Sequence, residues 1–414
     1  MQTLILVIVF SALAAKVVWE CFLLTLNMRE VNRRRHAPPE ALREVMDEQT
    51  YEKSVQYTLA KGHFSLFSEV FGALLLVLVL LSGVLPWLYG WMVGVPDASV
   101  WLEGLFLILV FFLLSLPGLP LDYYAQFILE ERFGFNKSTV ALWISDRIKA
   151  TIISVAIALP LLALILFLID WIGNYWWFWA FTVFFVFQLL MMILYPMLIL
   201  PWFNKLSPLP DGELRDRLMN LAERTGFKAR TIQVMDGSKR SGHSNAFFTG
   251  FGRFRRIVLF DTLIEQLTED ELEAVLAHEI GHYKKGHVPK MLILSAVFGL
   301  AAFAVLAWLL NTPAFVEAFG FSFADSGYAP AFLLFALLAG FITFWLSPLM
   351  NRLSRTHEYQ ADRFARDHVG GPRPMISSLR KLSEKNLSNL TPHPLYSAFH
   401  YSHPTLLERE AALK

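Results

Sequence analysis

Seven runs of about twenty apolar residues constrain this chain more than any other feature, since roughly 20 residues of helix cross a bilayer's hydrocarbon core. They fall near 3–27, 66–95, 100–125, 151–172, 176–202, 290–311 and 328–350. Backbone polar groups find no water in hydrocarbon, so each run is predicted to be a helix that satisfies its own hydrogen bonds. The first run contains Lys16 and Glu20, and the third is interrupted by Pro117 and Pro120. No basic residue precedes the first run, so a cleaved signal peptide is not expected. Composition agrees, with 17% charged residues where a soluble protein carries about a quarter. A net charge of +1 disfavours a nucleic-acid binder, and the lone Cys21 excludes an internal disulfide.

Basic residues set the expected orientation. Residues 1–3, 96–99, 173–175 and 312–327 lack Lys and Arg altogether. The segment 28–63 is rich in them, with Arg33-Arg34-Arg35 at its head, and 126–150 adds Arg132, Lys137, Arg147 and Lys149. Basic loops mark the cytoplasmic side, which predicts an outside N-terminus and a cytoplasmic C-terminus. The expected divisions are 1–203 for spans one to five, 204–289 for a cytoplasmic unit, 290–350 for spans six and seven, and 351–414 for a cytoplasmic C-terminal part. Within 204–289, extended stretches at Thr231–Met235, Asn245–Phe248 and Arg256–Phe260 alternate with Gly237, Gly242, Gly250 and Gly252, suggesting hairpin-like connections.

Thr268-Glu269-Asp270-Glu271 has the pattern of a capping box, and an apolar helical face follows at Leu272, Val275 and Leu276. That helix leads into His278-Glu279-Ile280-Gly281-His282. Two imidazoles four residues apart share one helical face, so both can reach one zinc ion, and the intervening Glu279 can act as general base on water. A metzincin third ligand fails, because Lys285 and Val288 stand at its positions and His287 is one residue off. The alternative is a carboxylate from another helix. Glu358 and Asp362 in His357-Glu358-Tyr359-Gln360-Ala361-Asp362 share a face, so Glu358 can ligate zinc and Asp362 can accept the second N–H of a ligand histidine.

These residues resemble the type I CAAX prenyl protease family. The likeness includes Glu130–Lys137, Ser244–Phe248, His278–His282, Glu358–Asp362 and Tyr401-Ser402-His403-Pro404. It implies a mainly α, polytopic membrane protein, with seven helices around a water-filled chamber and a small α+β gluzincin-like protease domain. It further implies one Zn2+ per chain held by His278, His282 and Glu358, with Glu279 activating water. Asn245 and Ala246 are expected on an edge strand that pairs with extended substrate. His403 is the candidate for stabilising the oxyanion, and Arg409 for contacting substrate. Glu20, Glu69, Glu103, Asp122 and Asp170, in or near spans, are compatible with chamber walls. Lys16 and Glu20, four apart, are as well explained by pairing with each other.

The resemblance implies hydrolysis of peptide bonds near the C-terminus of prenylated CAAX-type substrates, with a peptide or lipidated protein and membrane lipids as partners. The absence of a dibasic C-terminal retrieval pattern suits a bacterial plasma membrane. Two other readings stay open: a quality-control protease acting on unprenylated membrane proteins, and a non-enzymatic lipid-binding chamber or transporter with structural zinc. The last is disfavoured, because a structural site is usually closed by four protein ligands.

Overall fold

Apolar composition is realised as long helices. The computed structural model describes residues 1–36, 38, 40–94, 98–227, 231–249 and 256–414. The end of the second run at residue 95 and the glycines at 250 and 252 lie outside these. Among the described residues, six helical stretches are long and apolar enough to cross a membrane. One of them, Val140–Phe203, has 64 residues. At 1.5 Å per residue it would be roughly 95 Å long if straight, about three bilayer cores. It folds back instead, at a Gly173–Tyr175 turn between helices Val140–Ile172 and Trp176–Leu194. Gly173 takes φ 67°, a left-handed conformation favoured only by glycine. Each of the seven expected runs therefore has its own helical crossing segment.

Helix ends depart from the apolar runs for identifiable reasons. The second span begins at Glu48, where Asp47 accepts a hydrogen bond from Thr50 N at 2.7 Å, well before the apolar residues. It stops at Leu81, ahead of a left-handed Gly83, and a short helix Val84–Met92 completes that run. The third span passes Pro117 and Pro120 through a 3₁₀ turn at Leu116–Gly118, where missing N–H groups are tolerated at helix starts.

Three of the membrane stretches have only 6% of their apolar window buried. Helices in a solid bundle would bury their inward faces, so these form a wall one helix thick. Polar contacts knit it together. Lys16 reaches across to Glu69 at 2.5 Å, not to Glu20, whose carboxylate lies 3.4 Å from His400. The expected Lys16–Glu20 pair is thereby replaced by contacts between distant segments. Glu103 is buried and accepts from Tyr328 N and Ala329 N at 2.9 and 2.7 Å, a carboxylate at the start of the long helix Ala329–His368. Asp122 pairs with Arg147 at 2.8 Å.

The remaining chain forms a sheet-and-helix unit. Its four strands are β1 (Leu206–Pro208), β2 (Thr231–Met235), β3 (Ala246–Thr249) and β4 (Arg256–Phe260), in the order β1-β2-β4-β3. The three expected extended stretches are strands, but the hairpin expectation holds only between β3 and β4. β2 instead pairs in parallel with β4, while β1 adds antiparallel to β2. β1 includes Pro208, a residue that sheets accept on an edge strand. Leu218, Leu221, Ile257, Leu259, Leu276 and Ile280 form its core together with Ala365, Met375 and Leu413, so segments on either side of spans six and seven share one interior.

Candidate metal centre

The helix Glu269–Lys284 starts as its sequence dictates. Thr268 N donates to Glu271 Oε2 at 2.8 Å, closing the capping box. The helix crosses the C-terminal part of Ala329–His368 at Gly281. A Cβ added there would stand 3.0 Å from Ala361 Cα and 3.1 Å from Phe364 Cβ. Absence of a side chain at 281 thus lets the two backbones approach. Since Glu358 lies about one turn before Ala361 and Asp362 falls between Ala361 and Phe364, the contact carries both carboxylates to the histidines.

Three groups converge. His278 Nε2 and His282 Nε2 are 3.1 Å apart, His282 Nε2 is 3.2 Å from Glu358 Oε1, and His278 Nε2 is 3.4 Å from Glu358 Oε2. A tetrahedral centre with bonds near 2.0–2.1 Å has edges of about 3.3 Å, so these separations, one carboxylate oxygen facing each histidine, are of the size a zinc site needs. Glu358 Oε2 is buried yet takes no hydrogen bond, leaving a lone pair for a cation. The donor set of two imidazoles and one carboxylate is also that of a catalytic zinc site with an open fourth position. The residues fit the ion.

Each histidine is held from behind. His278 Nδ1–H donates to Asp362 Oδ1 at 2.9 Å, which leaves Nε2 facing the triangle. Asp362 is clamped in turn by Arg409, Nε to Oδ2 at 2.8 Å and the terminal nitrogen to Oδ1 at 2.6 Å. Burial opposes a charged His278, but the hydrogen bond to Asp362 and the nearby Glu358 carboxylate outweigh it and raise its pKa to about 9. The negative potential responsible is one that a cation would satisfy. Behind His282 the partner is neutral: its Nδ1 lies 2.9 Å from His287 Nδ1, and His287 Nε2 lies 3.0 Å from Gln360 Oε1. His287 also stacks on His357 at 4.0 Å. His287 had been set aside with the metzincin pattern. The signal that could have found it is Gly286, whose φ of 66° turns the chain back immediately ahead of it.

A cavity of about 780 Å³ opens onto this centre, and its lining includes Asn245, Ala246, Glu279, His403 and Arg409 beside the ligand triangle. Burial pushes the Glu279 carboxyl above its ordinary value. His403 Nδ1 lies 3.0 Å from Ser402 Oγ, and its Nε2 is 3.5 Å from Glu358 Oε1. Asn245 O accepts from Phe260 N at 3.1 Å, tying the start of β3 to β4. β3 ends the sheet, so its other side is an edge among the described residues. Arg409 lines the cavity, but its guanidinium is turned to Asp362. All nine expected site residues therefore surround one cavity or support its wall.

Comparisons with known proteins agree over the whole chain. Residues 27–205 match the family described as CAAX prenyl protease N-terminal, five membrane helices, and residues 208–414 match Peptidase family M48. The CAAX prenyl protease 1 of Saccharomyces cerevisiae is 40% identical over 402 residues, covering 91% of this chain and 88% of the relative. The human CAAX prenyl protease 1 homolog is 33% identical, covering 96% and 92%. The crystal structure of S. mikatae Ste24p superposes with a TM-score of 0.92 at 38% identity, covering 99% of this chain and 98% of that one.

Proposed function

The chain belongs to the type I CAAX prenyl protease family of integral-membrane metallopeptidases, and on that premise we propose that it cuts a peptide bond near the C-terminus of prenylated CAAX-type substrates. The observation that carries this reading is the His278–His282–Glu358 triangle opening, beside Glu279, onto a cavity shared with the free edge of β3. We assign one Zn2+ per chain to that triangle. When bound, zinc supplies a Lewis acid that polarises the scissile carbonyl and makes water easier to deprotonate.

The chain's own residues do the rest. Extended substrate adds to the edge of β3 at Asn245 and Ala246, where main-chain hydrogen bonds supply affinity with modest side-chain demands. Glu279 takes the proton of the attacking water and returns it to the leaving nitrogen, work suited to a carboxyl whose pKa burial has raised. His403, with Nδ1 turned to Ser402, presents Nε2–H to the developing oxyanion. Asp362 fixes the tautomer of His278, and Arg409, expected at the substrate, is read as holding Asp362 in place.

We treat 204–289 and 351–414 as one catalytic unit, with 1–203 and 290–350 supplying the membrane wall. The basic loops support a cytoplasmic zinc site. Placement in a bacterial plasma membrane gains no support from the relatives named above, which are eukaryotic. The test is Glu279→Gln in purified protein given matched farnesylated and unprenylated CAAX peptides. This reading expects wild type to prefer the farnesylated peptide and the variant to cut neither. Equal cleavage of both by wild type would instead favour quality-control proteolysis.

A further inference from the structure

The cavity's lysine and arginine side chains are unequal. Among the described residues two line it, Lys61 and Arg409. Arg409 is committed to Asp362 through two hydrogen bonds. Lys61 is exposed, and among the described residues its ammonium forms no direct ion pair, the Glu130 carboxylate acting on it from beyond Tyr57; it donates to the Tyr57 hydroxyl at 3.4 Å and lies 4.9 Å from that ring's centre. One N–H directed at Tyr57 leaves two for the cavity.

A chain of contacts locates this ammonium along β3. The buried Tyr57 donates to Glu130 Oε1 at 2.8 Å. Glu130 Oε2 lies 3.6 Å from His243 Nε2, and the His243 ring stacks on Phe135 at 4.0 Å. His243 is further fixed by Asn386 Oδ1 at 3.1 Å and, through its carbonyl, by Thr262. Lys61 therefore sits at the His243 end of β3, ahead of Asn245 and Ala246. A peptide added antiparallel to β3, the slightly more stable pairing, runs toward that end with its own C-terminus.

We propose that Lys61 anchors the C-terminal carboxylate of the substrate. This rests on the reading that a substrate strand pairs with β3 near its own C-terminus. An ammonium fixed by the Tyr57–Glu130–His243 connection sets how many residues separate the chain end from Glu279. The site then selects a bond by counting back from the free carboxylate, not by reading side chains. Edge pairing alone cannot do this, since main-chain bonds are the same in every register.

The experiment uses the full-length, zinc-loaded protein in lipid and one farnesylated CAAX peptide in two forms, free carboxylate and C-terminal carboxamide. A charge-assisted hydrogen bond predicts that wild type favours the carboxylate about 10- to 100-fold in kcat/KM, chiefly through KM. Lys61→Gln is expected to abolish that ratio and to spread cleavage over neighbouring bonds, while Lys61→Arg keeps the ratio. Wild type that cuts both forms equally, or a Lys61→Gln protein that keeps the wild-type ratio, overturns the anchor while leaving the proteolytic reading standing. Wild type that cuts neither form overturns both.

Discussion

The two histidines assigned to the metal are one helical turn apart, yet they are supported in opposite ways. Behind His278 stands a buried ion pair, Asp362 with Arg409; behind His282 stands a neutral relay, His287 to Gln360. A carboxylate both orients an imidazole and makes it a better donor, whereas a neutral partner mainly orients it. The difference also concerns folding. An ion pair inside protein is costly to break because the surviving charge is left buried, while losing a neutral partner costs the smaller penalty of unpaired polar groups. One side of the centre is thus locked to the fold and the other is adjustable.

The largest expected effect comes from the locked side. Asp362→Ala takes both carboxylate hydrogen bonds from the buried Arg409, leaving it the Glu358 carboxylate at 3.7 Å, and is expected to cost about 3–5 kcal/mol of stability, with roughly 10- to 100-fold weaker zinc binding. Denaturant titration and metal competition measure the two. If His287→Ala proved equally destabilising, the contrast between the two supports would be wrong.

Gly281→Val tests the helix contact that serves both sides. Its side chain meets Ala361 backbone at 3.0 Å, so the helices must separate. Overpacking of this kind costs about 1–3 kcal/mol, and displaced Glu358 should lower zinc occupancy. Full occupancy in a folded Gly281→Val protein would show that this contact does not position the ligand.

On the adjustable side, His287→Ala is expected to weaken zinc binding about tenfold and to cost about 1–3 kcal/mol, less than Asp362→Ala. Smaller still is Glu271→Gln, at about 1 kcal/mol, which keeps an acceptor for the capping box but removes the charge that Lys381 meets at 2.8 Å. Burial opposes the charged Glu271, but Lys381 and Ser377 outweigh it and hold its carboxyl below the ordinary 4.5. Its contribution is present above pH 4.5 and is lost as pH falls through the lowered folded value. The stability gap between wild type and Glu271→Gln should therefore narrow as the solution is acidified below that point, as pH-resolved unfolding would record.

Much of this was readable in the sequence because it is local. A bilayer imposes one length on every span, so Leu74–Leu81 announces its crossing without reference to other residues. Likewise, His278 and His282 share a face by helical period alone, as do Glu358 and Asp362. What stayed hidden depends on elements meeting in space. His287 reaches His282 only because Gly286 reverses the chain, and Gln360 reaches His287 only because two helices 73 residues apart pack together. The parallel pairing of β2 with β4 was equally hidden, since alternation marks a strand but does not name its partner. Lys16 found Glu69 in place of Glu20 for the same reason.

The central claim is that Glu279 performs proton transfer beside a zinc ion held by His278, His282 and Glu358. Its most direct test measures zinc content and farnesylated-peptide hydrolysis together, in wild type and Glu279→Gln. The account predicts one zinc per chain in both proteins and hydrolysis in wild type alone. Undiminished hydrolysis by Glu279→Gln, or hydrolysis by wild type stripped of metal, would contradict it.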